Sequence, residues 1–280
     1  MTQVHETDVR RPDGSTLHAY TAGPEDGLPV VWHHGTPNIG PPPRPLFAES
    51  DRLGLRWVGY DRPGYGGSTQ RPDRPIGSAA ADVAAVVDAL GIDRFAVMGH
   101  SGGGPHALAC AALLHDRVLA AVSASGPAPY GAPGLDWFAG MADPAALQAS
   151  VAGRAEREAF DDAEHEGEPG FIAVDEQALE GEWSWFIEVV RPALASGPAP
   201  MVDDDLALAR PWGFDPATIT APTLFLHGGG DRIIPASHGA WLADLVPRGE
   251  LLLLPEDGHV SVMRAGEQAL AWLAEHARAE

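Results

Sequence analysis

The sequence predicts an α/β protein with a mostly parallel, eight-stranded sheet flanked by helices and a helical cap inserted after the sixth strand. Three observations support this class. Short apolar runs ended by Gly or Pro recur along the chain, as expected of strands buried on both faces of a parallel sheet. Helical patterns separate several of these runs. The alternation stops between residues 126 and 214 and then resumes.

The predicted strands begin with a hairpin. Two rather polar stretches, residues 4–10 and 15–21, flank the turn signal Pro12-Asp13-Gly14. Six short apolar runs follow, and each is predicted to be a buried strand: residues 29–33, 55–60, 95–98, 118–124, 223–226 and 251–254.

Helices are predicted between these runs. Residues 78–90 place Val83, Val86, Val87 and Leu90 on one helical face, and Gly91 is a plausible stop. Residues 105–114, 237–246 and 267–277 also have helical patterns.

The interruption of the pattern predicts the domain organisation. Residues 126–214 begin and end with segments rich in Pro and Gly, and residues 144–160 and 175–194 within them look helical. We therefore expect residues 1–125 and 215–280 to form the α/β core. Residues 126–214 are expected to form a cap over the carboxyl edge of the sheet.

Composition limits the possible partners. The chain carries 39 acidic and 18 basic residues, for a net charge of −21, so it is expected to bind neither nucleic acid nor an anionic membrane surface. Every basic residue is arginine, which excludes lysine chemistry such as Schiff-base formation. One cysteine and a polar N-terminal stretch without a signal-peptide core are expected of a cytoplasmic protein.

The strongest chemical signal is centred on Ser101. Residues 99–103 have the form G-x-S-x-G, with an apolar run before them and an alanine-rich helical pattern after them. This context predicts a strained strand–turn–helix in which glycines let strand and helix approach closely. The start of the helix also favours nearby negative charge. We interpret Ser101 as a nucleophile, the alternative being a serine in an ordinary tight turn.

A serine hydroxyl needs a base within hydrogen-bond reach. His259 follows the run 251–254 through a short loop, and loops at the carboxyl ends of parallel strands are where ligands bind. We therefore interpret His259 as the base. His100 is adjacent to the nucleophile, but its backbone direction points it away from Ser101, so it is a pocket candidate.

A carboxylate is then needed to orient His259 and stabilise its protonated form. Asp231 follows the run 223–226 and a loop with three glycines that can turn sharply at the sheet edge. We interpret Asp231 as this acid, the alternative being a helix-capping aspartate. The rival acids are Asp203, Asp204, Asp205, Asp215 and Asp257.

Four motifs together resemble the α/β-hydrolase superfamily along nearly the whole chain. They are His-Gly-Thr-Pro at residues 34–37, D-x-x-G-x-G-x-S at residues 61–68, the turn around Ser101, and the Asp231/His259 pair. The resemblance implies the chain order nucleophile, acid, base found here. Epoxide hydrolases and haloalkane dehalogenases of this fold carry an aspartate as nucleophile, so Ser101 favours an acyl-enzyme.

The resemblance also implies an oxyanion hole. In this superfamily the N–H after the nucleophile acts together with an N–H from the loop after an earlier strand. Here those donors would be the amides of Gly102 and Thr36, and Pro37 would rigidify the loop. The alternative is a plain turn.

The expected function is hydrolysis of a carboxylic ester, thioester or lactone of a small, largely apolar substrate, without a cofactor or a metal ion. The predicted pocket is lined by His100, Trp137, Trp183, Phe186 and Trp212, although some of these aromatic residues would serve only as packing within the cap. The alternatives are a proline-iminopeptidase-like activity, carbon–carbon bond hydrolysis, cofactor-free peroxidation, and a non-catalytic ligand-binding member of the fold. The oligomeric state is left open.

Overall fold

One mixed sheet forms the centre of the protein. The computed structural model describes residues 2–162, 170–195 and 197–280. Within these ranges the sheet has eight strands: β1 (Val4–Arg10), β2 (Thr16–Ala22), β3 (Leu28–His33), β4 (Leu55–Tyr60), β5 (Phe95–His100), β6 (Val118–Ala124), β7 (Thr223–Gly228) and β8 (Gly249–Leu254).

The strand order is β1-β2-β4-β3-β5-β6-β7-β8. The predicted hairpin pairs β1 with β2 in antiparallel register, with Val4 opposite Ala22, and β2 is also antiparallel to β4. The remaining neighbours are parallel. The predicted fold class, a mostly parallel eight-stranded sheet with flanking helices, is therefore confirmed.

Helices cover both faces of the sheet. Those outside the insertion are α1 (Phe47–Leu53), α2 (Ser78–Ala89), α3 (Gly103–Leu113), α9 (Ala236–Leu245) and α10 (Gly266–Ala279). Alternate residues of each strand point to opposite faces, so Val97 of β5 joins the core beside α2, α3 and α9, whereas Met98 joins the core beside α1 and α10. No helix among the described residues is long and apolar enough to cross a membrane.

Five α-helices lie between β6 and β7 in the part of the chain that the structure describes. They are α4 (Ala145–Ala152), α5 (Arg154–Asp162), α6 (Ala173–Glu180), α7 (Trp185–Ala195) and α8 (Ala199–Ala209). The two predicted helices of this segment are each divided in two, the first at Gly153, whose φ of 143° a side chain rarely adopts. Residues 163–169 and 196 of the segment lie outside the described residues.

Helix α8 was not expected from the sequence. It carries three of the rival acids named in the sequence, Asp203, Asp204 and Asp205, and all three are buried. Arg154 pairs with Asp203, and Arg157 donates to Asp205 over 2.9 Å. Burial raises the pKa of Asp205 to about 6 even though Arg157 opposes this shift. The three aspartates therefore belong to an internal charge cluster.

Candidate active site

Ser101 lies in a sharp turn between β5 and α3. Its φ of 53° is in the left-handed region, which non-glycine residues rarely occupy. The turn is held by the Ser101 N–H, which donates to the Ala124 carbonyl over 2.8 Å, and by the Gly104 N–H, which donates to the Ser101 carbonyl over 2.9 Å. The surrounding structure therefore stabilises a strained backbone that presents the hydroxyl above the sheet edge.

Two glycines make this turn possible because no side chain would fit at their positions. A Cβ at Gly99 would lie 2.2 Å from the Gly103 carbonyl oxygen, and a Cβ at Gly103 would lie 2.0 Å from the His33 carbonyl oxygen. Strands β3 and β5 and the start of α3 consequently approach each other at backbone distance.

Ser101, His259 and Asp231 come together although they are far apart in the sequence. The Ser101 Oγ lies 2.9 Å from His259 Nε2, and His259 Nδ1 lies 2.8 Å from Asp231 Oδ2. An ionised carboxylate can only accept, so Nδ1 carries the proton and donates to Asp231. The Nε2 lone pair is then free to accept the Ser101 proton.

Asp231 is held in its charged form. Burial alone would raise its pKa, but the adjacent His259 and the backbone N–H groups outweigh burial and lower the pKa. The N–H groups of Ile233 and Ile234 both donate to Asp231 Oδ1 over 2.9 Å. The other oxygen remains directed at His259. None of the rival acids occupies this position.

His100 supports the loop of His259. Its Nε2–H donates to the His259 carbonyl over 2.8 Å, and its ring lies 5.0 Å from the ring of Phe186. Burial, aided by the nearby His259, lowers the pKa of His100 to about 3. His100 is therefore neutral near pH 7, and its fixed hydrogen bond prevents it from acting as the base for Ser101.

The predicted oxyanion donors, Thr36 and Gly102, are neighbours in space. A Cβ at Gly102 would lie 3.5 Å from the Thr36 nitrogen and 2.5 Å from Thr36 Oγ1. Neither amide donates one of the backbone hydrogen bonds found in the described loops and turns. Both N–H groups are thus available beside the nucleophile.

The loop of Thr36 is fixed by a buried group of charges centred on Asp204 of α8. Asp204 accepts from Arg62 over 2.6 Å and from Arg74 over 2.5 Å, and both pairs are almost completely buried. Thr36 Oγ1 donates to Asp204 over 2.6 Å, and Arg62 also donates to the Gly35 carbonyl over 2.9 Å. Burial alone would raise the pKa of Asp204, but the two guanidiniums hold it well below its ordinary value.

The loop of His259 is fixed by a second carboxylate that the sequence analysis missed. Asp175 of α6 is fully buried and accepts hydrogen bonds from the N–H groups of His259, Val260 and Ser261 over 3.2, 2.9 and 2.8 Å. A Cβ at Gly258 would lie 2.1 Å from the same carboxylate. Asp175 thus orients the backbone that carries His259, and a lone Asp in a helical pattern offered no signal for this contact.

A cavity of about 520 Å³ opens beside Ser101 and His259. Of the predicted pocket residues, His100 and Phe186 line it. Much of the remaining wall comes from five apolar side chains of the inserted segment, and three of these five are exposed enough to lie at its open side. The apolar residues are Phe171, Leu179, Ile187, Val190 and Leu194.

The other three predicted pocket residues, Trp137, Trp183 and Trp212, do not line this cavity. Trp137 is buried and donates to the Ala128 carbonyl over 2.7 Å. Trp183 is buried behind Phe186, with their rings stacked at 5.5 Å, and Trp212 is packed in the core beside Phe214. The helical spacing of Ile187, Val190 and Leu194 is the sequence signal for the residues that line it.

The chain matches the family described as alpha/beta hydrolase fold over residues 29–265, and it belongs to that family. It is 28% identical over 260 residues to a bifunctional esterase/perhydrolase from Acinetobacter calcoaceticus, with 90% of this chain and 92% of that protein covered. A non-heme chloroperoxidase from Streptomyces lividans is 38% identical over 125 residues, covering 43% of this chain and 45% of that protein. A hydrolase from Pseudomonas aeruginosa PA01 superposes with a TM-score of 0.72 at 21% identity, over 96% of this chain and 98% of that one.

Asp175→Asn tests the anchoring of the His259 loop. An amide has one acceptor oxygen in place of two, so some N–H groups lose their partner. We expect faster hydrogen exchange at residues 259–261 and a free energy of unfolding lower by about 1–3 kcal/mol, measured by mass spectrometry and urea denaturation. The neighbouring, exposed Glu176→Gln is the matched control. Unchanged exchange in Asp175→Asn would contradict the anchoring role.

Buried histidines predict loss of stability in acid. Burial, together with the charge of Arg62, lowers the pKa of His33 to about 3. The unfolded chain therefore takes up this proton near pH 6.5 whereas the folded protein does not, and stability falls as the pH drops from 6.5 towards 3. We expect His33→Gln to lessen the fall between pH 7 and pH 4 by roughly 1–3 kcal/mol in urea denaturation.

The exposed His115→Gln is the control for this pH dependence. It should leave the slope of stability against pH as it is in the unmodified protein. If stability depends on pH equally in His33→Gln and His115→Gln, His33 takes up its proton at the same pH in the folded and the unfolded protein, and the prediction fails.

Proposed function

We propose that this protein is a serine hydrolase that cleaves a carboxylic ester of a small, largely apolar substrate through an acyl-enzyme. The observation that carries the proposal is the hydrogen-bonded series Ser101–His259–Asp231 at the base of an apolar cavity. Membership of the alpha/beta hydrolase fold family supports a hydrolytic reaction. The ester as substrate class is our inference from the site.

In the proposed first step, Ser101 Oγ attacks the ester carbonyl while His259 Nε2 accepts the hydroxyl proton. Asp231 stabilises the imidazolium that forms, because it is charged and bonded to Nδ1. The carbonyl oxygen becomes negative and accepts the N–H groups of Gly102 and Thr36. The bond to the alcohol oxygen then breaks, and His259 returns the proton to that oxygen.

In the second step, water attacks the acyl-enzyme. His259 Nε2 takes a proton from the water, and the same two amides receive the negative oxygen. Collapse of this intermediate releases the carboxylic acid, and the proton on His259 returns to Ser101 Oγ. Each cycle consumes one ester and one water and leaves the protein unchanged.

The cavity supports the choice of an apolar substrate. Its volume of about 520 Å³ is in the range of small-molecule sites, and most of its wall is aliphatic or aromatic. Much of that wall comes from α6, α7 and the residues before α6, so we propose that residues 126–214 act as the cap over the site. Exclusion of water by this wall would strengthen the hydrogen bonds at the reacting oxygen.

Ser101→Ala tests the nucleophile. We expect loss of labelling by a fluorophosphonate probe and a fall of at least about 1,000-fold in kcat/KM for short and medium acyl esters. Ser123→Ala is the matched control, because it makes the same change at a serine that is buried away from the cavity and whose hydroxyl has no hydrogen-bond partner among the described residues. It should label and turn over as the unmodified protein does.

Three results would contradict this proposal. Equal labelling of the unmodified protein and Ser101→Ala would remove Ser101 as nucleophile. A strong preference for amino-acyl amides over acyl esters would replace the ester by a peptide-like substrate. Saturable ligand binding without any turnover would instead support a binding protein.

A second candidate is perhydrolysis, in which hydrogen peroxide replaces water as the attacking group. It is favoured by the name of the Acinetobacter calcoaceticus relative, an esterase/perhydrolase that aligns with 90% of this chain. One oxygen of the peroxide would attack the acyl-enzyme carbonyl while His259 takes its proton. The O–O bond stays intact, the acyl group leaves as a peracid, and the proton returns to Ser101 Oγ. The same acyl-enzyme serves both reactions.

Addition of hydrogen peroxide to an ester assay tests this candidate. We expect peracid to form in proportion to peroxide, detected by its oxidation of bromide, at the expense of free acid. Ser101→Ala should form none above the uncatalysed level, since both routes need the acyl-enzyme. Peracid at the uncatalysed level with the unmodified protein would exclude perhydrolysis and leave hydrolysis untouched.

A further inference from the structure

The side chain of Asn38 is a buried polar group that the proposed reaction does not use. Asn38 lies two residues after Thr36 in the loop that follows β3, is 4% exposed, and lines the cavity beside Ser101. Among the described residues, none provides a hydrogen bond to its amide. The partner of this amide must therefore come from the cavity.

Most other polar side chains in the cavity wall are already engaged. Thr36 donates to Asp204, His100 donates to the His259 carbonyl, and Ser101 is paired with His259. Arg191 is exposed to solvent, where an unpaired guanidinium loses little. Asn38 is thus the polar group of the wall that is both buried and unpartnered within the described chain.

Such a group has a physical cost when an apolar part of a substrate covers it. A side-chain amide can donate two hydrogen bonds and accept two, and leaving it unpaired after a substrate has displaced the water of the cavity costs about 1–3 kcal/mol. A leucine of similar size would avoid this cost in an otherwise apolar wall. The amide is therefore best explained as a contact for a polar atom of the substrate.

The position of the amide limits which atom of the substrate it can reach. A Cβ at Gly35 would lie 3.2 Å from Asn38 Nδ2 and 3.5 Å from Ser101 Cβ. The amide and the nucleophile are therefore separated by about the width of one small side chain. An atom bonded to Asn38 must lie within a few bonds of the carbonyl carbon that Ser101 attacks.

We propose that Asn38 is a specificity-determining residue that hydrogen-bonds a hydroxyl or keto oxygen carried next to the scissile ester. This inference rests on the proposed esterase function and narrows its substrate class. The preferred substrate is an oxygen-substituted ester, with the oxygen on the carbon beside the carbonyl or on the alcohol part close to it. Its apolar remainder lies against Phe186, Ile187 and Val190.

The test compares matched pairs of esters. One pair is ethyl 2-hydroxyhexanoate with ethyl hexanoate, and the other is 2-hydroxyethyl hexanoate with propyl hexanoate. We expect the unmodified protein to favour the oxygenated member of at least one pair in kcat/KM. In Asn38→Leu and Asn38→Ala that ratio should fall about tenfold, because the hydrogen bond is lost.

Two further variants separate recognition from general damage. Asn38→Gln keeps the amide and should retain part of the preference. Gln177→Leu makes the same type of change at an exposed position of α6 and should leave the ratio unchanged. If Asn38→Leu does not fold, as judged by circular dichroism, Asn38→Ala and the ratio in the unmodified protein decide the question.

The outcomes distinguish this inference from the proposed function. Fluorophosphonate labelling and hydrolysis of ethyl hexanoate report on the nucleophile alone. If the unmodified protein shows neither, the esterase proposal is overturned. Normal labelling with equal rates for both members of each pair would overturn only the role of Asn38. An equal fall for both members in Asn38→Leu would likewise show that Asn38 is not a specificity residue.

Discussion

The buried contact between Asp204 and its arginines is the interaction on which the arrangement of the site depends. A carboxylate placed in the interior without partners would lose several kcal/mol of hydration. Arg62 and Arg74 offset that loss, and the remaining donors of Arg62 bind the carbonyls of the loop that carries Thr36. The charge pair need not add net stability, but it allows only one position of this loop relative to α8. The amide of Thr36 is thereby kept beside Gly102.

A buried carboxylate also holds the loop on the other side of Ser101. Asp175 holds the backbone of residues 259–261 from α6, and α6 also packs against the turn Ser261–Ala265 that follows. Two carboxylates from the inserted helices therefore hold the two loops that flank the nucleophile. The core provides the strained turn of Ser101, and the insertion sets the groups that surround it.

Local patterns were sufficient to predict the central part of the fold and site. Short apolar runs marked the strands, and the glycines around Ser101 marked the turn because backbone approach leaves no room for a Cβ there. The contacts of Ser101, His259 and Asp231 followed from the ends of three parallel strands meeting at one edge. These features are encoded within a few residues of each position.

The parts that could not be predicted depend on partners distant in the sequence. The three aspartates of α8 are buried because arginines elsewhere in the chain pair with them. These are Arg62, 142 positions from Asp204, together with Arg74, Arg154 and Arg157. The positions of the tryptophans depend on distant contacts in the same way. Aromatic character does not indicate whether a side chain faces the cavity or the interior. Trp183, which precedes α7, lies behind Phe186, whereas Ile187 and Val190 line the cavity.

The double attachment of the inserted helices has a consequence for recombining this protein with its relatives. A segment transplanted between β6 and β7 from another member of the family would have to bring acids matching Asp175 and Asp204 in three dimensions. Without them, two guanidiniums and a row of peptide N–H groups would face a non-polar interior. The insertion and the core therefore have to be exchanged together. In chimeras that separate them, we expect the loops beside Ser101 to lose their positions while the sheet still forms.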